Sequence, residues 1–345
     1  MGKRVLITGL ATFWGGRVAQ ALEADPSVDV IVGLDRFEPT VELERTEYVR
    51  SDESYSILAR IVKAARIDTI VHTFLAVDST MMSSRTIHEI NVIGTMNLFA
   101  AASAVGSTVR NVVVKSSTLV YGASAQDPVW FSEETRRSKP PKTLVERSLL
   151  EVEGYVRDFA VDNPHVTVAM LRFSNVLGPD ITTPLAKALE MPLVPSLFGY
   201  DPRFQFVHET DVVRAILYVL ENEVQGIYNV AGDGLLPWSE VAAICGRRTI
   251  PLPPYGTGIL SAPLARFGVE LPPELIDLLR YGRGVDNRRL KRSGFDYRFT
   301  SAGTVADFVE ALRIRRTVGD EPGYQYERDV EQFFRHSPAI VRDEV

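Results

Sequence analysis

The sequence predicts an α/β fold built on a doubly wound parallel sheet, with a small α+β lobe toward the C-terminal end. Three observations lead there. Short β-branched and apolar runs alternate with longer stretches of helical spacing through the first half of the chain. The run at 28–34 is apolar almost without interruption, the pattern of a parallel strand covered on both faces. After Gly178-Pro179 the texture changes: prolines gather at Pro184, Pro192, Pro195 and Pro202, then at Pro251, Pro253 and Pro254.

Taken in order, residues 4–8 read as a first strand. Residues 13–24 read as a helix with Val18, Ala21 and Leu22 on one face, and 28–34 as a second strand. Residues 54–65 read as helix, 69–72 as strand, 85–104 as a long helix, 111–115 as strand, 144–161 as helix and 166–171 as strand. Five strands interleaved with four helices imply a sheet with helices on both sides. Pieces at 209–221 and 226–231 can rejoin it. The expected division is a core over 1–178 with 205–232 returning to it, a lobe over 179–204 and 233–318, and an extension over 319–345.

Composition excludes several classes. Of 345 residues, 45% are apolar and 24% charged, as in ordinary globular proteins. The net charge of −6 argues against a nucleic-acid partner, whose phosphates require a basic face. Cys245 is the one cysteine, so no disulfide forms within the chain, and a reducing, cytoplasmic setting is expected. No apolar run approaches the ~20 residues that span a bilayer, and the N-terminus enters a strand directly, so neither a membrane partner nor a signal peptide is expected. His72, His88, His165, His208 and His336 are scattered, and no metal site is expected.

The turn between the first strand and the first helix reads Gly9-Leu10-Ala11-Thr12-Phe13-Trp14-Gly15. A dinucleotide pyrophosphate needs a tight turn, close backbone approach and the free N–H groups of a helix N-terminus. Gly9 suits the turn, Gly15 suits close packing of helix on strand, and Phe13 and Trp14 open the helix. Thr12 stands where a middle glycine is expected, either crowding a phosphate or bonding it. Asp35 ends the second strand 20 residues after Gly15, where a carboxylate can hold the adenosine ribose hydroxyls. A 2′-phosphate would meet that carboxylate, so NAD is favoured over NADP, although Arg36 follows directly. Together these features predict a Rossmann-type dinucleotide site.

Several further stretches carry a resemblance. They are Ser51-Asp52-Glu53, the loop of Thr73-Phe74-Leu75, the helix around Asn91, Lys115-Ser116-Ser117-Thr118-Leu119-Val120-Tyr121-Gly122, and Arg172-Phe173-Ser174-Asn175-Val176-Leu177-Gly178-Pro179. With the glycine turn, over roughly residues 3–300, the chain resembles the extended short-chain dehydrogenase/reductases of the NAD-dependent epimerase/dehydratase family, and within it the UDP-glucose 4-epimerase-like group of actinobacteria. The resemblance implies an oxidoreductase or isomerase that binds NAD and acts on a sugar nucleotide or related alcohol. It implies cofactor contacts from Asp52, Glu53, Thr73, Phe74, Leu75, Asn91 and Ser174, a catalytic hydroxyl at Ser117, and Asn175 near the substrate. It also implies a homodimer joined through the helices at 85–104 and 144–161.

One part of the family pattern is missing. Its chemistry uses a Tyr and a Lys at i and i+4 on one helix face, the ammonium lowering the phenol's pKa so that it can take a proton. No Tyr-x-x-x-Lys occurs in this sequence. Aligning through Glu151 puts Thr143 and Arg147 at the two positions. A Thr hydroxyl is too weak an acid, and Arg keeps its proton. Three readings stay open: a cofactor-binding protein without turnover, a displaced base such as Tyr121, Lys142 or Lys115, or a different reaction. The phosphates of a sugar nucleotide call for Arg forks, with Arg203, and Arg280 or Arg283, as candidates. Arg203 is displaced by one position from the family's Arg.

Overall fold

A computed structural model describes residues 2–77, 82–253 and 273–318. The central sheet holds β1 (Lys3–Thr8), β2 (Val28–Asp35), β3 (Thr46–Arg50), β4 (Thr69–His72), β5 (Asn111–Ser117), β6 (Thr167–Phe173) and β7 (Gly226–Val230). Their spatial order is β7-β6-β5-β4-β1-β2-β3. Every pairing within this sheet is parallel. Successive side chains of a strand point to opposite faces, which explains the unbroken apolar runs. Leu6, Val112, Val114 and Met170 enter one core, whereas Val5, Ile7, Val113 and Leu171 enter the other.

Helices cover both faces. The first core is closed by α2 (Tyr55–Ala64), by α3 (Ser84–His88) continuing through a π-helical turn (Glu89–Gly94) into α4 (Thr95–Ala102), and by α5 (Leu144–Asp162). The second is closed by α1 (Phe13–Glu23) and the later helix Glu209–Glu221. A third core belongs to the lobe, where Leu185, Phe204, Trp238, Leu278 and Phe308 pack together. Short pairings tie the lobe to the sheet's end: Asn175–Leu177 runs parallel to Phe206–His208, and Gly284–Val285 pairs with Trp130–Phe131.

The structure departs from the sequence reading in three places. β3 is a half-exposed edge strand with no apolar signature. The single helix expected over 85–104 contains a π-helical turn. β5 runs on to Ser117, two residues beyond the expected end. The extension at 319–345, and the part of the lobe at 254–272 that includes Pro254, lie outside the described residues.

Candidate functional site

Parallel strands aim their C-terminal ends at one edge of the sheet, and ligands of such sheets bind where the strand order reverses. Here that point lies between β1 and β4. The turn after β1 is built around two glycines. Gly9 has φ +79°, and a Cβ there would stand 2.8 Å from the Cβ of Phe74. At Gly15 a Cβ would stand 2.1 Å from the carbonyl oxygen of Gly9, so only glycine lets α1 begin this close to the turn.

Thr12 is the N-cap of α1. Its hydroxyl donates to Gly9 O at 2.6 Å and accepts from Gly15 N at 3.1 Å. The threonine is therefore folded into the cap, its hydroxyl bonded to the backbone of the turn. With Gly15 N capped, the first helical turn leaves the N–H groups of Phe13 and Trp14 without an intrahelical acceptor. This is the donor pair a pyrophosphate requires.

Asp35 is buried beside the turn. Its Oδ2 accepts from Ala11 N at 2.9 Å and its Oδ1 from Phe37 N at 3.1 Å. Each oxygen retains further acceptor capacity for a ribose hydroxyl. The Arg36 and Asp52 side chains are exposed. Glu53 is buried, and neither of its carboxyl oxygens has a hydrogen-bond partner. Burial, and then the nearby Asp35 carboxylate, push its pKa up to about 8, so it is protonated at neutral pH.

The loop after β4 supports the turn from below. Thr73 Oγ1 donates to Thr8 O at 2.8 Å, Phe74 touches Gly9, and Leu75 is buried. Asn91, carried on the π-helical turn, clamps this loop. Its Oδ1 accepts from Ala76 N at 2.7 Å, and its Nδ2 donates to Ala76 O at 2.9 Å and to Ser148 Oγ at 3.0 Å. Beneath them His72 bridges Thr8 Oγ1 at 2.6 Å and Thr95 Oγ1 at 2.9 Å. Thr95 gives its own proton to Asn91 O, so His72 Nε2 donates and Nδ1 accepts. Burial foremost, and the neighbouring Lys115, push this imidazole down to about 3, and it stays neutral.

A cleft of about 160 Å³ opens beyond β5 and β6, lined by Trp14, Lys115, Ser117, Ser174, Asn175 and Arg283 among others. Ser117 Oγ accepts from Leu119 N at 3.2 Å. Ser174 Oγ is buried without a partner. Asn175 Nδ2 donates to Gln205 O at 2.9 Å. Arg283 is buried, donates Nη1 to Thr118 O, and is pushed down by burial to about 10, so it remains a cation at neutral pH. Arg203 is not brought to this cleft. It is exposed and lines a second cleft with Tyr200, Arg280 and Tyr281. Arg283 borders both.

Three expected catalytic residues lie away from the first cleft. Thr143 is the N-cap of α5, its hydroxyl accepting from Glu146 N at 3.2 Å in a reciprocal capping box. Arg147, one turn on, is exposed. The inward face of α5 instead presents buried Val145, Leu149 and Glu153. Tyr121 is locked inside the protein: its hydroxyl donates to Asn229 Oδ1 at 2.8 Å, receives Arg172 Nη1 at 2.7 Å, and is pushed up by burial. Its hydroxyl is engaged within the protein, away from the first cleft. The cleft also takes Glu274, Leu275 and Leu278 from the helix Pro273–Tyr281. No local motif marks that helix, because only the tertiary fold brings the lobe against β5.

Residues 5–231 match the NAD dependent epimerase/dehydratase family. This chain belongs to that family. An uncharacterized protein of Mycobacterium tuberculosis is 34% identical over 313 residues, covering 89% of this chain and 83% of that one. The dTDP-D-glucose 4,6-dehydratase of Mus musculus is 29% identical over 248 residues, covering 66% and 68%. Among solved structures, MoeE5 in complex with UDP-glucose and NAD superposes with a TM-score of 0.69 at 22% identity, covering 92% of this chain and all of that one. That likeness shows the fold. The turn as built suits the family's cofactor: Gly9 and Gly15 leave no room for a side chain, so strand, loop and helix meet closely, and the Phe13 and Trp14 N–H groups open the helix.

Proposed function

We infer that this protein binds NAD along the Gly9–Gly15 turn and acts as an oxidoreductase of the epimerase/dehydratase type on a sugar nucleotide or related alcohol. The observation that carries the reading is the junction of two features. The glycine cradle with Asp35 at its end accepts the dinucleotide, and it leads through Trp14 into the cleft that holds Ser117 and the unpartnered Ser174 hydroxyl. When bound, the nicotinamide supplies hydride acceptance and return. The chain's own residues hold and orient: Phe13 and Trp14 N–H on the phosphates, Asp35 on the ribose, Asn91 on the supporting loop. Ser117 and Ser174 face the reacting end, with Asn175 and Arg283 toward the substrate's phosphates. Similar proteins named for dTDP-D-glucose and UDP-glucose support the substrate class.

NAD is favoured over NADP because Asp35 is buried and fixed while Arg36 is exposed. The test is thermal stabilisation by each dinucleotide. A ligand that binds only the folded state stabilises it by about 2.7 kcal/mol at a hundredfold excess over its dissociation constant. A rise in Tm with NAD and none with NADP is expected. A rise with NADP alone would mean that Arg36 overrides Asp35. No shift with either, on protein shown free of co-purified cofactor, would overturn the dinucleotide reading.

A second reading, cofactor binding without turnover, draws on the capped Thr143 and exposed Arg147. Wild-type protein that binds NAD yet transfers no hydride from any of a panel of sugar nucleotides would favour it. We also infer a homodimer, since Ile93 and Met96 on the helix through the π-turn and Tyr155 on α5 are exposed apolar side chains, and Met96 and Tyr155 border one groove.

A further inference from the structure

The family's chemistry needs a group that takes a proton from a hydroxyl, and no residue of α5 lines the cleft. Of the three displaced bases that the sequence offers, Tyr121 is locked by Arg172 and Asn229. Lys142 is exposed and ion-paired to Asp277 at 2.5 Å. Lys115 remains. On a strand, residues i and i+2 share a face, so Lys115 stands on the Ser117 side of β5. Ser116 turns the other way and donates to Glu153 Oε1 at 2.8 Å.

Lys115 is buried and lines the cleft, with Nζ 5.8 Å from the centre of the Trp14 ring. Among the described residues it has no hydrogen bond or ion pair. The other ionisable residues lining the cleft are Glu274 and Arg283. Glu274 has an interaction of its own, and Arg283 donates to Thr118 O and, as a guanidinium, does not relay protons near neutrality. His72, at the end of the neighbouring β4, is in register with Val114 and so points to the opposite face of the sheet, where it is held neutral between Thr8 and Thr95. From α1, β6 and the residue just after β6 the cleft receives Trp14, Phe173 and Ser174, which carry no charge.

We propose that Lys115 is the proton-exchanging group of this cleft, its amine taking the proton of a ligand hydroxyl and its ammonium returning it. The proposal rests on the oxidoreductase reading above. In the oxidising direction the O–H bond breaks and its proton joins the Nζ lone pair. The adjacent C–H leaves as hydride to the oxidised nicotinamide dinucleotide, and the C–O bond becomes C=O. The reverse restores both. A proton-transfer group works best with a pKa near the working pH, and burial pushes Lys115 down to about 8. The unpartnered Ser174 hydroxyl and Ser117 Oγ line the same cleft and suit the positioning of the reacting oxygen.

The first test needs no substrate and no cofactor. Acetylation of the full-length protein by acetic anhydride is followed against pH, reading the Lys115 peptide by mass spectrometry. A labelling midpoint near 8 is expected, and a midpoint at 10 or above overturns the proposal. The second test uses Lys115→Arg and Lys115→Met with UDP-glucose and dTDP-glucose as probes, monitoring reduction of bound NAD. Loss of general acid–base catalysis costs about 10²- to 10⁴-fold, so both variants should fall at least that far while keeping wild-type stabilisation by NAD. An Arg variant within about threefold of wild type would show that charge alone suffices and would overturn the proposal. If the wild type binds no NAD, the dinucleotide reading fails, and the labelling midpoint still decides for Lys115.

Discussion

Glu53 is a carboxyl group whose protonation the fold controls through burial. In the unfolded chain it titrates near 4.5, and in the folded protein it is held at about 8. Below pH 4.5 both states carry the proton and the group makes no difference. Between these values the folded state holds a proton that the unfolded state has lost, so stability falls as pH rises from about 4.5 through 8. The loss is on the order of 5 kcal/mol once the carboxylate is forced to ionise inside. Glu53→Gln removes the charge at constant shape. The variant should match wild type near pH 5 and exceed it in Tm at pH 9, and parallel Tm curves for the two would refute this account. A neutral Glu53 also spares Asp35 a second negative charge beside the ribose end of the site.

At the scale of elements, the start of α5 separates this chain's helix from the catalytic helix its family would suggest. Thr143 is consumed by the capping box and Arg147 faces solvent. Thr143→Tyr with Arg147→Lys would recreate the Tyr-x-x-x-Lys string, yet it should yield no gain in NAD reduction. It should also cost about 1 kcal/mol through the lost cap. A tenfold or greater gain in rate would show that this helix start can face the cleft after all. The example also marks how far the sequence can be read. The alternating apolar runs fixed the strands because parallel strands bury both faces, and the glycine turn was legible because no side chain fits at Gly9 or Gly15. Ser117, Ser174 and Asp35 follow from strand ends. The half-exposed β3 leaves no periodic signal. On α5, burial follows tertiary packing that the sequence does not show: Glu153 is paired with Arg172 at 2.5 Å inside the protein, while Glu151 is on the exposed face with Arg147. The helix Pro273–Tyr281 reaches the cleft through tertiary folding alone.

For the whole molecule, the helix layer over the first core carries an uncovered apolar stretch. Phe99 and Phe159 close the base of a groove between α4 and α5, their ring centres 4.6 Å apart. Met96 and Tyr155 line that groove with exposed side chains, and Ile93 lies one turn before Met96. Exposed apolar side chains gathered on one face point to a partner surface. A two-fold axis would set the same patch against itself, so that each helix pair meets its copy. The site lies on the far side of the Asn91 clamp, and Asn91 and Ile93 share the π-helical turn. Pairing at this surface would therefore bear on the segment that carries the cofactor loop. Wild type should sediment as a dimer at micromolar concentration, with a Tm that rises with protein concentration. Met96→Glu with Tyr155→Glu places two charges on each copy of the patch and should give a monomer whose Tm is independent of concentration. The monomer should also show weaker stabilisation by NAD if the clamp depends on pairing. A wild type that stays monomeric at micromolar concentration refutes the dimer, and a monomeric variant with unchanged stabilisation by NAD uncouples the surface from the site.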